Sequence, residues 1–186
     1  MAKLTYSAIP SLDGYIADEK GEFGWAMPDE EVHAFVNELE RPVATHLYGR
    51  RMYEVMKIWD TDDFLEGEPA CMRDYAEIWR AAEKIVYSRT LDKVETSRTR
   101  LERTFDPETI RTLKETEGHE ISIGGPELAV QAIEADLVDE FHLFLVPVAV
   151  GAGKPALPIQ SHIPLQLLDH RSFDNGTVYI RYEVCR

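Results

Sequence analysis

Short apolar stretches alternate along the chain with longer segments in which apolar residues recur every three to four positions. The short stretches predict buried strands at residues 4–9, 43–48, 84–87, 121–123 and 140–148. The periodic segments predict helices at residues 29–39, 49–59, 71–82, 107–117 and 127–135. Strands that alternate with helices form βαβ units, so the pattern predicts a three-layer α/β domain with a mainly parallel sheet.

Local signals refine this pattern at several points. Asp106-Pro107 combines an N-cap residue with a proline at the first helical position, which predicts a helix that begins there and stops at Gly118. A polar loop is expected after Pro10, an acidic loop at 60–68, a short strand at 97–104 and a Gly/Pro-rich loop ending at residue 158. No repeat or linker divides the chain, so we expect one domain over residues 1–186.

The end of the chain has the pattern of an antiparallel hairpin at the edge of the sheet. Residues 165–173 predict its first strand, and Asn175-Gly176 is typical of a type I′ turn. In the second strand, alternate apolar residues are expected to point inward: Val178, Ile180, Tyr182 and Val184.

Charge narrows the class of partner. The chain has 34 acidic and 20 basic residues and a net charge of −14, which opposes binding to nucleic acid or to an anionic membrane. A small anionic ligand remains compatible, because a local basic patch outweighs distant charges that salt screens within about 10 Å. Nine of the 20 basic residues fall between positions 80 and 114, an unevenness that by itself is typical of separate solvated surfaces.

Other functional classes find little support. The two cysteines, Cys71 and Cys185, and the six histidines show no metal-ligand spacing, so we expect no metal site. The chain has neither a G-x-S-x-G motif nor a P-loop. The Gly151–Lys154 stretch could contact a substrate phosphate, although an ordinary surface loop fits it better. Without a signal peptide or a long apolar run, the expected location is the cytoplasm, with no membrane segment.

Residues suited to phosphate binding follow three of the predicted strands. They are Gly49, Arg50, Arg51, Ser88, Arg89, Gly124 and Gly125. Glycine lets a backbone approach a ligand, arginine offers paired donors to phosphate, and a helix N-terminus offers free amides. Each turn alone is also compatible with an ordinary loop. Because parallel strands end at one edge of a sheet, together they predict a dinucleotide site, although the G-x-G-x-x-G pattern is absent.

Several sequence segments, spread over nearly the whole chain, occur in the combination of a known family. They are S-A-I at 7–9, S-L-D-G-Y-I-A at 11–17, G-R-R-M-Y-E at 49–54, Ser88-Arg89, I-G-G at 123–125 and P-V-A-V-G-A-G-K-P at 147–155. This combination resembles the dihydrofolate-reductase-like fold, and within it the pyrimidine reductase domain of bacterial riboflavin biosynthesis. The resemblance implies an NADPH-dependent reductase of a small heterocycle, such as a pterin or an aminopyrimidine.

The same resemblance implies a role for individual residues. The NADPH phosphates would lie at Gly49, Arg50 and Arg51, and the adenosine 2′-phosphate at Ser88 and Arg89. The pyrophosphate would lie at the turn and helix start formed by Gly124, Gly125, Pro126, Glu127 and Leu128. The nicotinamide would be lined by Ala8, Ile9, Ile16 and Ala17, and the substrate would face Asp13 and Trp25.

The proton donor for reduction is expected among the carboxylates near Trp25. The segment from Trp25 to Glu30 resembles the dihydrofolate reductase stretch W-x-L-P-x-acid, which makes Glu30 the candidate, with Asp29 as the fallback and Asp13 as a further carboxylate in the substrate cleft. Ordinary first-turn acids of a helix explain Glu30 and Asp29 equally well.

Two alternatives to a reductase stay open. Met52 and Gly24 stand where many relatives have threonine and an acid, so the fold could instead serve a non-catalytic binder of nucleotide, folate or flavin. A scaffold used only for protein interactions is the third possibility. The resemblance and the edge position of the hairpin further imply a homodimer.

Overall fold

Ten strands form two sheets in the computed structural model, which describes residues 1–186. The strands are β1 Leu4–Ala8, β2 Tyr15–Asp18, β3 Val43–Gly49, β4 Glu83–Tyr87, β5 Thr99–Glu102, β6 Glu120–Gly124, β7 Glu140–Leu145, β8 Gly153–Pro155, β9 Leu165–Ser172 and β10 Val178–Val184. The main sheet has the order β5-β4-β3-β6-β1-β7-β10-β9, and β2 pairs with β8 in a second, small sheet. From β5 to β7 all pairings are parallel, and the last two are antiparallel. The predicted mainly parallel sheet with a C-terminal antiparallel hairpin is therefore confirmed.

Five α-helices connect the strands. They are α1 Glu30–Glu40, α2 Arg50–Met56, α3 Ala70–Ala81, α4 Pro107–Thr116 and α5 Pro126–Glu134, with short 3₁₀ turns at Gly24–Ala26 and Lys57–Asp60. Two of them begin at side-chain caps that satisfy free amides: the Asp29 carboxylate accepts from Val32 N, and Asp106 accepts from the amides of Glu108 and Thr109. None of these helices combines the length and the apolar composition needed to cross a lipid bilayer.

The helices cover both faces of the main sheet. On one face α4 and α5 close the largest core, in which Ile110 and Ala132 pack against strand residues such as Leu47 and Ile121. On the other face α2 and α3 pack on β3 and β4 through Tyr53 and Trp79, among others. Helix α1 covers β7 and β10 on that same face. Successive strand residues point to opposite faces, and both faces of β3 and β4 are covered by helices. Consecutive residues of these strands are therefore buried, including the polar Thr45 and His46 of β3.

A charged network is buried at the start of β7. The Glu140 carboxylate, 2% exposed, accepts hydrogen bonds from Lys3 and from Arg181 Nε at 2.7 Å, and it lies 3.2 Å from His142 Nε2. Burial alone would raise the pKa of Glu140, but the bonds from Arg181, Lys3 and His142 outweigh it and lower the pKa to about 2. The carboxylate therefore stays ionised inside the fold, and it ties β7 to β10 and to the chain start.

The hairpin differs from the prediction in its turn and its inward face. Gly176 N donates to Phe173 O and Phe173 N donates to Thr177 O, so Asp174 and Asn175 occupy the turn centre. Neither has a positive φ, whereas a type I′ turn needs positive φ at both central residues; only Gly176 has one, at +85°. The expected type I′ turn at Asn175-Gly176 is therefore wrong.

The predicted inward face of β10 is confirmed for Tyr182 and Val184 but is wrong for Val178. Val178 is 37% exposed, while the neighbouring Tyr179 is fully buried against α1. Both faces of this strand carry apolar residues, because Tyr182 and Val184 pack toward the α4 and α5 core on the other side. Simple alternation therefore does not describe the strand.

The loop expected after Pro10 and the Gly/Pro-rich loop before residue 158 contain the second sheet. Its strands β2 and β8 pair antiparallel, with Lys154 opposite Ala17. At Gly153, φ is +148°, and a Cβ atom placed there would lie 2.0 Å from the carbonyl oxygen of Ala17. Glycine is therefore required for this close pairing.

Candidate functional site

The three turns singled out in the sequence lie side by side at one edge of the main sheet. Strands β4, β3 and β6 are neighbours, with Gly49 opposite Tyr87 and Tyr48 opposite Gly124. A cleft of about 400 Å³ opens beyond these strand ends, and we call it the basic cleft. It is lined by Gly49, Arg50, Arg51, Met52, Tyr87, Ser88, Arg89, Arg103, Thr104, Phe105, Gly125, Pro126, Glu127, Leu128, Gln131 and Lys154. The structure thus brings together nine of the residues assigned to the cofactor by sequence.

The start of α5 forms one wall of the basic cleft. Gly125 caps this nine-residue helix at φ +90°, and no side chain occupies the free amides of its first turn. A backbone of this kind leaves N–H groups and a partial positive charge directed at the cleft. A side chain at Gly124 would press on Met52 and Tyr48 at 3.1 Å, so the paired glycines permit the tight strand-to-helix turn.

The adjoining wall at α2 depends on side chains rather than on a helix end. Helix α2 has only seven residues and continues as a 3₁₀ turn, so it is shorter than the predicted helix at 49–59. Arg50 donates to Glu54 at 2.7 Å and to Thr90 Oγ1 at 2.9 Å. Both arginines of this wall are exposed and able to turn toward a ligand. Any anion at this wall would therefore be held by guanidinium groups.

Ser88 and Arg89 follow β4 on the floor of the cleft. The Ser88 hydroxyl, largely buried, accepts from the amides of Thr90 and Leu91 at 3.3 and 3.0 Å. Its own O–H meets no acceptor in the protein, so it is free to donate to a ligand oxygen. Arg89 is exposed and makes neither a hydrogen bond nor an ion pair. Together they offer donors to an anionic group at the end of β4.

Two further cations reach the cleft that the sequence interpretation did not assign to it. Arg103 Nη1 donates to the carbonyls of Ser88 and Leu91 at 3.2 and 2.6 Å, which fixes the loop that carries Arg89. Lys154 comes from β8, and Nζ donates to the Glu127 carboxylate at 2.9 Å. Arg103 belongs to the segment 80–114, whose many basic residues are visible in the sequence. Lys154 belongs to the Gly151–Lys154 stretch, for which the sequence favours an ordinary surface loop.

The residues expected at the nicotinamide do not line the basic cleft. Ala8 ends β1, Ile9 follows it, and Ile16 and Ala17 lie in β2. Ala17 is nonetheless close to the cleft, because its β8 partner is Lys154. Gly124 also stays outside the lining, one residue before Gly125.

Asp13 holds two loops together. Its carboxylate accepts from Ser11 Oγ at 2.6 Å, from Gly151 N at 2.7 Å and from Val150 N at 3.1 Å. The hydrogen bond from Ser11, followed by that from Gly151, lowers the pKa of Asp13 below its usual value. An ionised carboxylate with its acceptors engaged is a poor proton donor, so this geometry favours a positioning role.

Trp25 and Glu30 lie near each other in the chain but differ in environment. Trp25 is partly buried in the 3₁₀ turn, and its indole Nε1 is shielded from solvent without a hydrogen-bond acceptor. A buried donor of this kind is uncommon in folded proteins. Glu30 is the exposed first residue of α1 and makes no ion pair, while Asp29 is engaged as the N-cap. Glu30 is therefore the carboxylate of this segment that is free to act on a ligand.

Known proteins resemble the chain over almost its full length. The family model of the RibD C-terminal domain matches residues 2–179. The uncharacterized protein YyaP of Bacillus subtilis is 30% identical in an alignment of 176 residues that covers 92% of this chain and 89% of YyaP. A pyrimidine reductase-like protein from Corynebacterium diphtheriae has a TM-score of 0.70 at 16% identity, covering 100% of this chain and 92% of that one.

A dihydrofolate reductase shares the same architecture. The enzyme from Enterococcus faecalis, in a complex with NADP(H), has a TM-score of 0.63 at 14% identity over 99% of this chain and 97% of its own. At such identities the likeness establishes the fold alone. The dihydrofolate-reductase-like fold expected from the sequence is thereby confirmed.

Proposed function

Because the chain belongs to the RibD C-terminal domain family, we propose that it is an NADPH-dependent reductase that transfers a hydride to a small nitrogen heterocycle of the pterin or aminopyrimidine class. One observation carries this proposal. The basic cleft has five cationic side chains, Arg50, Arg51, Arg89, Arg103 and Lys154, in a chain whose net charge is −14. A concentration of cations against the overall charge indicates an anionic ligand.

The residues of the cleft fit the phosphates of NADPH. The α5 start, with Gly125 and without a side-chain cap, suits the pyrophosphate, and Leu128 and Pro126 border it with apolar surface. Arg50 and Arg51 would neutralise phosphate charge from the α2 wall. Ser88 and Arg89 would hold the 2′-phosphate, which distinguishes NADPH from NADH.

We assign the reaction itself to the side of the cleft that β2 and β8 form. When bound, NADPH supplies the hydride. Ala8, Ile9, Ile16 and Ala17 would exclude water around the nicotinamide, and the Trp25 indole N–H would donate to the substrate. Glu30 would supply the proton, and Asp13 would position the loop at 148–151 rather than transfer a proton.

Titration of NADPH fluorescence tests the cofactor assignment. We expect NADPH to bind more tightly than NADH, and Arg89→Ala to weaken NADPH binding about tenfold or more, the effect of losing a charge-assisted hydrogen bond. Lys93→Ala is the matched control, because Lys93 is exposed in the same basic segment and does not line the cleft. Equal losses in both variants would contradict a specific contact at Arg89.

Turnover separates the reductase from a non-catalytic binder. Oxidation of NADPH is followed at 25 °C with a panel of pterins and aminopyrimidines, and at least one member is expected to be reduced. Tight NADPH binding with no oxidation across the panel would instead favour a nucleotide-binding protein on this scaffold. Absence of binding at millimolar NADPH would overturn the proposed function altogether.

We also propose that the protein forms a homodimer through the outer edge of β9. This strand ends the main sheet and is exposed along its whole length. An uncovered strand edge offers free backbone groups for pairing with a second copy.

A further inference from the structure

Glu127 is the only carboxylate among the residues that line the basic cleft. Its Oε1 lies 2.9 Å from Lys154 Nζ and 3.8 Å from Arg51 Nη1. Arg50 and Arg103 have other partners, and Arg89 has none. Glu127 is therefore the counter-ion of two of the five cleft cations.

The position of Glu127 coincides with the place expected for a ligand phosphate. It is the second residue of α5, where the helix dipole and the free amides favour one negative charge. A phosphate bound at this helix start and the Glu127 carboxylate would repel each other at a few ångströms. The two anions therefore compete for the same cations.

The ion pair between Glu127 and Lys154 can break without a change in the core. The Glu127 side chain is 71% exposed, so it can turn into solvent without disturbing the core. An exposed ion pair is weak, and a phosphate group with more charge can replace one of its partners. Lys154 belongs to β8 and Glu127 to α5, so the pair also spans the cleft between the small sheet and the helix.

We propose that Glu127 acts as an electrostatic latch of the basic cleft, that is, as a counter-ion that the ligand replaces. The Glu127 carboxylate pairs with Lys154 and Arg51 until a phosphate group of the dinucleotide displaces it and pairs with Lys154 instead. This inference rests on the proposed function. Its consequence is a lower affinity for the cofactor than the five cations alone would give, and a faster release after the reaction.

A purely structural ion pair would behave differently. If the bond only tethered β8 to α5, removal of either partner would loosen the cleft, and both variants would bind NADPH more weakly. The latch predicts that the two variants change the affinity for NADPH in opposite directions. Glu127→Gln frees Lys154 and Arg51 for the ligand, whereas Lys154→Gln removes one of the ligand's cations.

The test is NADPH titration of the full-length chain by fluorescence at low and high salt. We expect Glu127→Gln to tighten binding by about two- to fivefold and Lys154→Gln to weaken it by a similar factor, the range of an exposed ion pair. Both effects should shrink as salt rises. Glu134→Gln is the matched control, because Glu134 lies on α5 with the same charge, is exposed and has no ion pair.

Each outcome decides between the models. Tighter binding by Glu127→Gln with no change in Glu134→Gln supports the latch. Equal tightening in both variants would show a general effect of net charge and overturn it, as would unchanged or weaker binding in Glu127→Gln. Wild-type protein that does not bind millimolar NADPH would overturn the proposed function and the latch together, whereas failure of the latch alone leaves NADPH binding by the wild type intact.

Discussion

Glu140 shows how a single buried carboxylate contributes to the stability of this fold. Its pKa lies at about 2 in the folded chain, against an ordinary value of 4.5. A group whose pKa is lower in the folded state stabilises that state above its unfolded pKa, and this contribution disappears as the pH falls through the folded pKa. For Glu140 the stabilisation is fully present at pH 7 and is lost between about pH 4.5 and pH 2.

Glu140→Gln therefore tests this residue through the pH dependence of unfolding. We expect the variant to be less stable at pH 7 by about 3 kcal/mol, because Arg181 and Lys3 lose their counter-ion. The difference from wild type should shrink as the pH approaches 3. Glu183→Gln, on the neighbouring strand and without an ion pair, is expected to change the free energy of unfolding by less than about 0.5 kcal/mol. Urea unfolding at several pH values measures both variants, and a difference that does not vary with pH would contradict the assignment.

At the scale of elements, the small sheet of β2 and β8 depends on the loop that Asp13 holds. The Asp13 carboxylate accepts hydrogen bonds from the backbone amides of Val150 and Gly151, just before β8 begins at Gly153. Its removal would free both amides and loosen the approach to the strand. The main sheet has no contact of this kind with Asp13.

Asp13→Ala should accordingly raise amide hydrogen exchange in one place. We expect exchange at Val150 and Gly151 to accelerate at least about tenfold, because each amide loses its acceptor, while Ile121 in the main sheet stays protected. Asp13→Asn keeps one carbonyl acceptor, so its exchange rates at Val150 and Gly151 should lie between those of the wild type and of Asp13→Ala. Uniform acceleration over the whole chain would show global destabilisation and contradict a local role. The measurement is exchange followed by NMR or mass spectrometry.

The elements that the sequence predicts well are those with a periodicity of their own. Helix α4 has both an N-cap at Asp106 and an apolar face, and β3 and β4 are short segments rich in apolar residues, so the local pattern is sufficient. Strands β2 and β8 are four and three residues long, and they pair with each other although most of the chain lies between them in the sequence. No local pattern encodes such a partner. The type I′ prediction for the hairpin turn is wrong because Gly176 follows the two central residues instead of being one of them.

The same distinction applies to the basic cleft. Gly49, Ser88 and Gly125 follow recognisable strands, so parallel topology alone brings them to one edge. Lys154 reaches the cleft only because β8 pairs with β2, which the pattern did not predict. The Glu127–Lys154 contact likewise depends on side-chain geometry. Sequence therefore predicted that these three turns meet at one edge of the sheet, whereas the charge balance of the basic cleft required the structure.

At the scale of the whole molecule, the two edges of the main sheet differ in their suitability for pairing with a second copy. Strand β5 has four residues, including Arg100 and Glu102, and such short charged edges resist association. Strand β9 has eight residues, and Leu165, Leu167 and Leu168 are 39–48% exposed there. Pairing of two β9 edges would join the sheets and place these leucines beside the side chains of the second copy, which reduces their exposure.

Sedimentation equilibrium at micromolar protein tests this dimer. We expect the wild type to be a dimer that tightens as salt rises, because each copy carries a net charge of −14 and salt screens their repulsion. Leu167→Lys should raise the dissociation constant at least about tenfold, since it places a charge in the contact. Ile58→Lys is the control: Ile58 is similarly exposed, at 47%, but lies in a 3₁₀ turn far along the chain from β9. A monomeric wild type would contradict the dimer, and equal loss in both variants would move the contact away from β9.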